Sequence, residues 1–202
     1  MDILKQRILE DGKALGRDVL LVDSFLNHQV DSELMQQIGE EFARLFGGLG
    51  VTRVATIESS GIAPAVMTAL ILKVPLLIMK KSTSTILSEE LFQTAVHSFT
   101  KGTNYQLTVK RRFLSADDRV LFIDDFLANG EAALGAAKII TRAGASVAGM
   151  GIVIEKAFQP GRSRLEAAGY KPVSLASIAW MDEGQIEFTK EVSEQGADHA
   201  NN

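Results

Sequence analysis

The stretch VLFIDDFLANGEA, residues 120–132, places an acidic pair between a buried strand and the start of a helix. Four apolar residues precede Asp124 and Asp125, and a short turn with Asn129 and Gly130 leads into an alanine-rich segment. Neighbouring carboxylates repel each other, and an apolar core disfavours both of them. The pair therefore indicates a ligand that meets the chain where this strand ends.

The composition fits a single globular domain. The chain has 202 residues, of which 46% are hydrophobic and 23% are charged, which is enough for a sizeable core. Its net charge of -4 argues against a general nucleic-acid binder and against a basic membrane-surface protein. The absence of cysteine excludes disulfides and thiolate metal sites.

The longest apolar run, GIAPAVMTALILKVPLLIM at residues 61–79, is too broken to cross a membrane. Pro64, Lys73 and Pro75 interrupt it, which favours a helix followed by a strand. The N-terminal segment is amphipathic, carries acids and lacks the uninterrupted apolar core of a signal peptide. We therefore expect no membrane association, no nucleic-acid partner and a cytoplasmic location.

Hydrophobic periodicity predicts strands that alternate with helices. Strands are predicted at residues 19–22, 53–57, 74–79, 119–124, 146–155, 172–178 and 185–189, with a hairpin at residues 95–100 and 105–112. Helices are predicted at residues 2–15, between Asp31 and the glycines at 47–50, after Pro64, and at residues 131–142 and 162–168. This alternation predicts an α/β fold, with a mostly parallel sheet flanked by helices.

Two strand-to-helix junctions carry polar residues, and both would open onto the carboxyl edge of that sheet, where ligands bind. In the first, the helix start after Gly130 exposes backbone N–H groups that suit an anion. Asp124 and Asp125 would repel a phosphate alone, but they can accept hydrogen bonds from the hydroxyls of a phosphorylated sugar. The motif thus indicates a ribose-phosphate site, and Glu131 fits the positive end of the helix dipole.

The second junction, ESSGIAP, offers Ser59, Ser60 and Gly61 before another helix, which suits a second anion. Lys80 and Lys81 end the next strand and could neutralise charge at the same edge, although both could equally be a solvated strand end. A solvated turn is likewise the plain alternative for the acidic pair. The three histidines are scattered, so histidine is not expected to capture a metal.

Five segments together resemble a known family, the type I phosphoribosyltransferases, and within it the xanthine phosphoribosyltransferase branch. They are VDSFLNHQVD (22–31), TIESSGIAPAVMTAL (56–70), SFTK (98–101), IDDFLANGEA (123–132) and GIVIEKAFQPGR (151–162). The resemblance runs through nearly the whole chain. The sequence departs from many superfamily members in having ANG in place of a Thr/Ser-Gly-rich loop, and Lys80-Lys81 in place of Arg-Lys.

The resemblance implies a fold and a reaction. The fold would be a single phosphoribosyltransferase domain at residues 1–192, with a small N-terminal hood of about residues 1–35 plus a C-terminal segment, a flexible loop or hairpin, and a disordered tail at 193–202. The reaction would join xanthine to 5-phosphoribosyl 1-pyrophosphate, giving xanthosine 5′-monophosphate and pyrophosphate in purine salvage. The family needs Mg²⁺, held mainly by substrate oxygens without a direct protein ligand, and works as a cytoplasmic homodimer.

The resemblance also implies residue roles. The phosphoribosyl loop would be Ala128, Asn129, Gly130, Glu131 and Ala132, with Asp124 and Asp125 facing the ribose hydroxyls. Pyrophosphate would meet Ser59, Ser60 and Gly61, with help from Lys80 or Lys81. The base would be held by Leu20, Asn27 and Lys156, with Phe158 or Phe126 stacked on its ring, although a role in the core is also open for either phenylalanine.

The segment STSTILSEELFQT, residues 82–94, is predicted to close over the site as a lid.

The sequence leaves alternatives open for the base and for the function. The base could instead be guanine, hypoxanthine or adenine. A non-catalytic regulator that senses phosphoribosyl pyrophosphate, and a plain sugar-phosphate binding module, would share the same motif.

Overall fold

The computed structural model describes residues 1–82, 89–98 and 102–190. Ten strands are present in this part of the chain: β1 (Lys13–Leu15), β2 (Val19–Leu21), β3 (Arg53–Ile57), β4 (Leu76–Ser82), β5 (Leu91–Ser98), β6 (Thr103–Lys110), β7 (Arg119–Leu127), β8 (Ser146–Lys156), β9 (Pro172–Asp182) and β10 (Gln185–Phe188). The α-helices are α1 (Asp2–Asp11), α2 (Ser32–Phe46), α3 (Ile62–Leu72), α4 (Glu131–Arg142) and α5 (Gly161–Ala167).

Eight strands form one sheet in the order β10-β9-β8-β7-β3-β4-β6-β5, and β1 and β2 form a separate hairpin. The five adjacent strands β9, β8, β7, β3 and β4 are parallel to one another. The strands β10, β6 and β5 pair antiparallel at the two ends of the sheet. The predicted fold class, α/β with a mostly parallel sheet flanked by helices, is therefore confirmed.

Both faces of the sheet are buried, as expected for parallel strands covered by helices. Along β7, Leu121 and Ile123 face a core shared with α1, α2 and α3. Val120 and Phe122 face the opposite core, which is shared with α4, α5 and the β5–β6 hairpin. This two-sided burial explains the uninterrupted apolar run before the acidic pair.

The N-terminal helix is shorter than its periodicity predicted. It ends at Asp11, and residues 13–15 pair with residues 19–21 in the β1–β2 hairpin, so the predicted helix over 2–15 is wrong at its C-terminal end. The N-terminal segment is held on the sheet by the amino group of Met1, which donates to the carbonyl of Leu175 at 2.8 Å. The predicted cap of α2 is confirmed, since Asp31 Oδ1 accepts from the backbone N–H of Leu34 at 3.1 Å.

Several strands extend beyond their predicted ends. β7 was expected to end at residue 124 but reaches Leu127, because its ladder with β8 continues to the pair Leu127 and Glu155. Asp124 and Asp125 therefore both lie inside the strand, whereas Asp124 was predicted as its last residue and Asp125 as the first residue after it. β5 begins at Leu91, so residues 91–94 of the predicted lid belong to a paired strand, and residues 83–88 of that lid lie outside the described residues. The predicted tail, 193–202, also lies outside them.

None of the helices in the described ranges combines the length and the apolar character that a bilayer-spanning segment needs.

Candidate active site

The two polar junctions meet at the centre of the sheet. The chain passes from β3 to β4 on one side and later returns to place β7 on the other side of β3. The strand order thus reverses between β3 and β7, and in α/β sheets ligands bind outside the carboxyl ends of strands at such a reversal. Residues 58–61 follow β3 and residues 128–130 follow β7, so both predicted loops lie at this position.

An open cleft of about 160 Å³ lies along the second of these loops. It is lined by Phe126, Leu127, Ala128, Asn129, Gly130, Glu131, Ala132 and Ala133, together with Lys81, His97 and Tyr105. All five residues of the predicted phosphoribosyl loop therefore line one cleft. Larger clefts lie between α1 and α2 and beside Lys110–Arg112, but neither is built from the residues at these two junctions.

The turn before α4 leaves backbone donors for a ligand. Gly130 caps the helix with φ +81°, a left-handed conformation that favours glycine. In the described part of the chain, the N–H groups of Asn129, Gly130, Glu131 and Ala132 make no backbone hydrogen bond outside the helix. Four unpaired donors at the positive end of a twelve-residue helix suit a phosphate group.

The acidic pair is not symmetric. Asp124 is only 6% exposed, whereas Asp125 is half-buried. Burial, and then the charge of Asp125, raise the pKa of Asp124 well above its usual range. Asp124 Oδ1 accepts from the backbone N–H of Asp125 at 3.2 Å, and Asp125 Oδ1 accepts from that of Phe126 at 2.9 Å. A ligand that brings positive charge or hydroxyl donors would relieve this repulsion.

Gly61 brings the first loop against the acidic pair. A Cβ atom at this position would lie 2.4 Å from Thr56 Oγ1 and 3.3 Å from Asp124 Oδ1, so only glycine fits without displacement. Ser59 is exposed and Ser60 is half-buried, and both precede α3 in the ESSG turn. The loop after β3 therefore packs against β7 at Asp124 through Gly61.

The two lysines at the end of β4 have different surroundings. Lys80 Nζ donates to Glu58 Oε2 at 3.0 Å, and the backbone N–H of Lys81 donates to Glu58 Oε1 at 2.6 Å. Burial alone would raise the pKa of Glu58, but these hydrogen bonds hold it below its usual range. Lys81 Nζ instead lies 5.6 Å from the centre of the Tyr105 ring and lines the cleft.

The β5–β6 hairpin adds two cleft residues that sequence analysis missed, His97 and Tyr105. Burial, followed by the charges of Asp124 and Glu131, raises the pKa of Tyr105 to about 12. His97 Nδ1 lies 2.8 Å from Asn104 Oδ1 across the hairpin. Strand alternation around Leu107 and Val109 could have placed Tyr105 on the inner face of β6. It could not have shown that this face meets the loop after β7.

Lys156 ends β8 beside the cleft and reaches toward the N-terminal hairpin. Its ammonium donates to the backbone carbonyl of Asp18, between β1 and β2, and lies 5.5 Å from the centre of the Phe126 ring. Burial lowers the pKa of Lys156, while the charge of Asp18 acts in the opposite direction. Lys156 and Phe126 thus form a half-buried corner beside the exposed Asp18, with a cation that retains two further N–H donors.

Four predicted base contacts, Leu20, Asn27, Lys156 and Phe158, are not among the residues that line the cleft. The side chain of Leu20 is 5% exposed and belongs to the core beneath α1 and α2. Asn27 is exposed on the short π-helical turn Asp23–Asn27, and Phe158 is 41% exposed after β8. Their contacts with a base remain predictions. Phe126, the other aromatic candidate, both packs against the core and lines the cleft.

The fold is that of the phosphoribosyltransferases. Adenine phosphoribosyltransferase from Thermoanaerobacter pseudethanolicus superposes with a TM-score of 0.70 at 19% identity, covering 86% of this chain and 99% of that one. Adenine phosphoribosyltransferase from Trypanosoma brucei, in complex with AMP, pyrophosphate and ribose-5-phosphate, gives 0.72 at 18% identity, covering 86% and 79%. The protein accordingly has the type I phosphoribosyltransferase fold.

Sequence comparison identifies the family to which the chain belongs. Xanthine phosphoribosyltransferase 1 of Clostridium botulinum is 58% identical over 190 residues, covering 94% of this chain and 100% of that protein. The xanthine phosphoribosyltransferase of Clostridium acetobutylicum is 55% identical over 188 residues, covering 93% and 100%. No family model matches the chain. The chain belongs to the xanthine phosphoribosyltransferase family, which confirms the resemblance drawn from its motifs.

Proposed function

We propose that the protein transfers the 5-phosphoribosyl group from 5-phosphoribosyl 1-pyrophosphate to xanthine. The products are xanthosine 5′-monophosphate and pyrophosphate, and the reaction serves purine salvage. Full-length relatives at 55–58% identity carry the name xanthine phosphoribosyltransferase. The observation that carries the proposal is the pair Asp124 and Asp125 directly before an amide-lined turn, at the strand-order reversal of the sheet.

The sugar phosphate would be bound by the loop after β7. The unpaired N–H groups of residues 129–132 would donate to the 5′-phosphate at the start of α4. Asp124 and Asp125 would accept hydrogen bonds from the ribose hydroxyls, and this would offset the burial and the repulsion by Asp125 that raise the pKa of Asp124. The loop here is ANG, with no hydroxyl side chain, so backbone donors carry most of the phosphate binding.

Displacement at the anomeric carbon passes through a state in which the ribose carries positive charge while pyrophosphate leaves as an anion. No covalent nucleophile is required, so the protein contributes positioning and electrostatics. The two carboxylates would lie on the side where positive charge develops. Ser59, Ser60, Gly61 and the lysines near the end of β4 would bind the departing anion, and Lys81 is the lysine that lines the cleft.

The base would bind beside Lys156. An ammonium only donates hydrogen bonds, so it suits a 6-oxo group and disfavours the 6-amino group of adenine. A half-buried cation also favours a base as acidic as xanthine, and Phe126 below it offers a ring face for stacking. Asn27 would present its amide N–H to the 2-oxo group, with Leu20 and Phe158 as the remaining proposed contacts.

The residues present fit Mg²⁺ carried in with the substrate. Carboxylate oxygens of Asp124 and Asp125 are the ligand type that Mg²⁺ prefers, but six ligands are needed. In residues 1–82, 89–98 and 102–190, no three acidic, histidine or cysteine side chains gather in a way that could hold a metal ion. Substrate oxygens would hold the ion, with no direct ligand from the protein, and Asp124 and Asp125 would lie beside it. When bound, it neutralises pyrophosphate charge.

We further propose a cytoplasmic homodimer that pairs through α3. This helix is apolar nearly all round, yet Leu70 is 70% exposed, Val66 44% and Ile71 39%. Helices of this kind are normally buried, so a second copy is the expected cover. Light scattering should give a dimer for the wild type and a monomer for Leu70→Glu, and a monomeric wild type would contradict the pairing.

Pyrophosphate release with xanthine, guanine, hypoxanthine and adenine, each with and without Mg²⁺, tests the function. We expect Mg²⁺-dependent release that is fastest with xanthine. Asp125→Asn should lower kcat by about 100-fold, because it removes a charge beside the developing cation, with little change in melting temperature. Wild-type rates in Asp125→Asn would contradict the assigned role. Binding of ribose 5-phosphate without turnover would instead indicate a sensor or binding module.

A further inference from the structure

Helix α5 is hydrogen-bonded to the phosphoribosyl loop, residues 128–132. The backbone N–H of Gly161 donates to the carbonyl of Ala128 at 2.8 Å, and Arg164 Nη1 donates to the carbonyl of Asn129 at 2.8 Å. Arg164 Nη2 also donates to Glu131 Oε1 at 2.5 Å. Three acceptors of the loop therefore face one short helix.

These contacts set the direction of the loop donors. A trans peptide holds its C=O and N–H in opposite directions. Fixing the carbonyls of Ala128 and Asn129 toward α5 thus directs the N–H groups of Asn129 and Gly130 away from it. The cleft is lined by residues 126–133 and by no residue of α5, so these N–H groups are directed to the side on which the cleft lies.

The contact between loop and helix is close. A Cβ atom on Gly130 would lie 3.2 Å from the Cα of Gly161, and a Cβ atom on Gly161 would lie 2.3 Å from the carbonyl oxygen of Ala128. The other arginine of α5, Arg162, fixes the helix to β8. It donates from Nε to Glu155 Oε1 at 2.7 Å and from Nη2 to Glu155 Oε2 at 2.6 Å. Arg164 is thus presented to the loop by a helix that is itself fixed to the sheet.

The loop also carries a charge that opposes its proposed ligand. Glu131 lines the cleft, where its carboxylate would repel a sugar phosphate. Arg164 neutralises this carboxylate and holds it in an ion pair, in which the two side chains are 37% and 27% exposed. Glu131 without this partner would be a negative charge beside a phosphate site, and such pairs are repulsive.

Resting on the proposed function, we infer that Arg164 is a positioning residue for the sugar phosphate. It acts through Asn129 and Glu131 and does not touch the ligand. It fixes the peptide that presents the loop donors, and it compensates the carboxylate of Glu131. Its loss should weaken binding of the sugar phosphate while leaving the chemical step at saturation nearly unchanged.

The test compares Arg164→Met with Arg44→Met, a control that breaks a surface arginine–glutamate pair on α2. Calorimetry with ribose 5-phosphate, and steady-state KM for phosphoribosyl pyrophosphate, should both show about tenfold weaker binding in Arg164→Met, with kcat within about threefold and KM for xanthine unchanged. Arg164→Lys keeps the charge but loses the planar guanidinium, which donates to two acceptors at once. Its loss of binding should therefore be smaller than that of Arg164→Met. Binding equal to that of Arg44→Met would overturn the inference.

A double-mutant cycle separates the electrostatic role from simple destabilisation. Adding Glu131→Gln to Arg164→Met should restore binding by about threefold, since the uncompensated charge is gone. No restoration, together with parallel losses of kcat and melting temperature, would show a structural role only. If Arg164→Met does not fold, Arg164→Gln, which also removes the charge, gives the same comparison with and without Glu131→Gln.

The two proposals fail separately. A wild type that binds ribose 5-phosphate but releases no pyrophosphate with any purine overturns the proposed function, while the calorimetric test of Arg164 still applies. Wild-type turnover with unchanged binding in Arg164→Met overturns the role of Arg164 alone.

Discussion

The ammonium of Lys81 lies 5.6 Å from the centre of the Tyr105 ring, whereas Lys80, its neighbour on β4, is paired with Glu58 at 3.0 Å. Successive side chains of a strand point to opposite faces, so adjacent lysines cannot serve the same ligand equally. The pair that looked interchangeable in sequence is divided by the structure into a lysine that lines the cleft and a lysine that holds the preceding loop.

We expect Lys81→Met to lower kcat/KM for phosphoribosyl pyrophosphate by about 30-fold, since a charge-assisted contact to pyrophosphate contributes about 2 kcal/mol. Lys80→Met, the matched control, should change it by no more than about threefold, because Lys80 is exposed and pairs with Glu58 at the surface. Initial rates of pyrophosphate release give both values. A larger loss in Lys80→Met than in Lys81→Met would reverse the assignment.

Asp124 should make the stability of the protein depend on pH. Its pKa is raised in the folded state by burial and by Asp125, so the folded state binds its proton more tightly than the unfolded state does. The stabilisation that Asp124 contributes is therefore fully present below its unfolded pKa of about 3.9. It is lost as the pH rises through its pKa in the folded state.

Asp124→Asn removes this dependence. Without ligand, the variant should gain stability relative to the wild type as the pH rises from about 4 to 7, by chemical denaturation at each pH. Asp125→Asn is the control, because it removes the neighbouring charge and leaves the buried group in place. If the stability gained by Asp124→Asn over the wild type instead shrinks as the pH rises, the raised pKa of Asp124 is not its cause.

Lys156 should determine binding of the base and not of the sugar. Lys156→Met should lower kcat/KM for xanthine by about 100-fold, through loss of a cationic donor in a half-buried corner. Affinity for ribose 5-phosphate should be unchanged, and Lys171→Met, which removes an exposed lysine, should match the wild type. Equal losses for base and sugar in Lys156→Met would indicate instead that Lys156 mainly secures the N-terminal hairpin through Asp18.

Arg162 should be essential for stability. Glu155 is 1% exposed and accepts hydrogen bonds from Arg162, Ser174 and Ser177. Burial alone would raise the pKa of Glu155, but these hydrogen bonds hold it below its usual range. Its stabilising contribution is therefore present above the unfolded pKa of about 4.3 and is lost as the pH falls through the lower folded value.

Arg162→Met leaves that buried carboxylate without its cation and should cost about 3 kcal/mol at neutral pH. Denaturant unfolding measures the loss, and Arg44→Met should leave the unfolding midpoint unchanged. The loss in Arg162→Met should diminish when the pH falls low enough to protonate Glu155. A loss that persists undiminished in acid would point to packing of α5 as its cause.

The sequence alone could predict features that depend on neighbouring residues. Helix α4 was placed at residues 131–142, where the structure has it, because an alanine-rich stretch follows a glycine turn. The cap at Asp31 followed from its position before an apolar stripe. The strand over Asp124 was expected from its apolar run, but its extension to Leu127 depends on pairing with β8, a separate segment of the chain.

Contacts between distant segments were out of reach of such patterns. Arg164 and Asn129 are 35 residues apart, and no periodicity relates them. Tyr105 could be assigned to a strand face, but its place beside Asp124 depends on where the hairpin joins the sheet. The helix predicted over residues 2–15 shows the same limit. Residues 13–15 fit the helical period in the sequence, but in the structure they form a strand that pairs with β2.

The chain of amino acids by itself determined the α/β fold, the ribose-phosphate motif and the family, because turns, caps and apolar periods are local properties. Only the tertiary structure decided which side chains face the cleft. It separated Lys81 from Lys80, buried Leu20, and brought Tyr105 and α5 to the loop after β7. The physical reason is that strand order and register fix the direction of each side chain, and both depend on pairing between segments far apart along the chain.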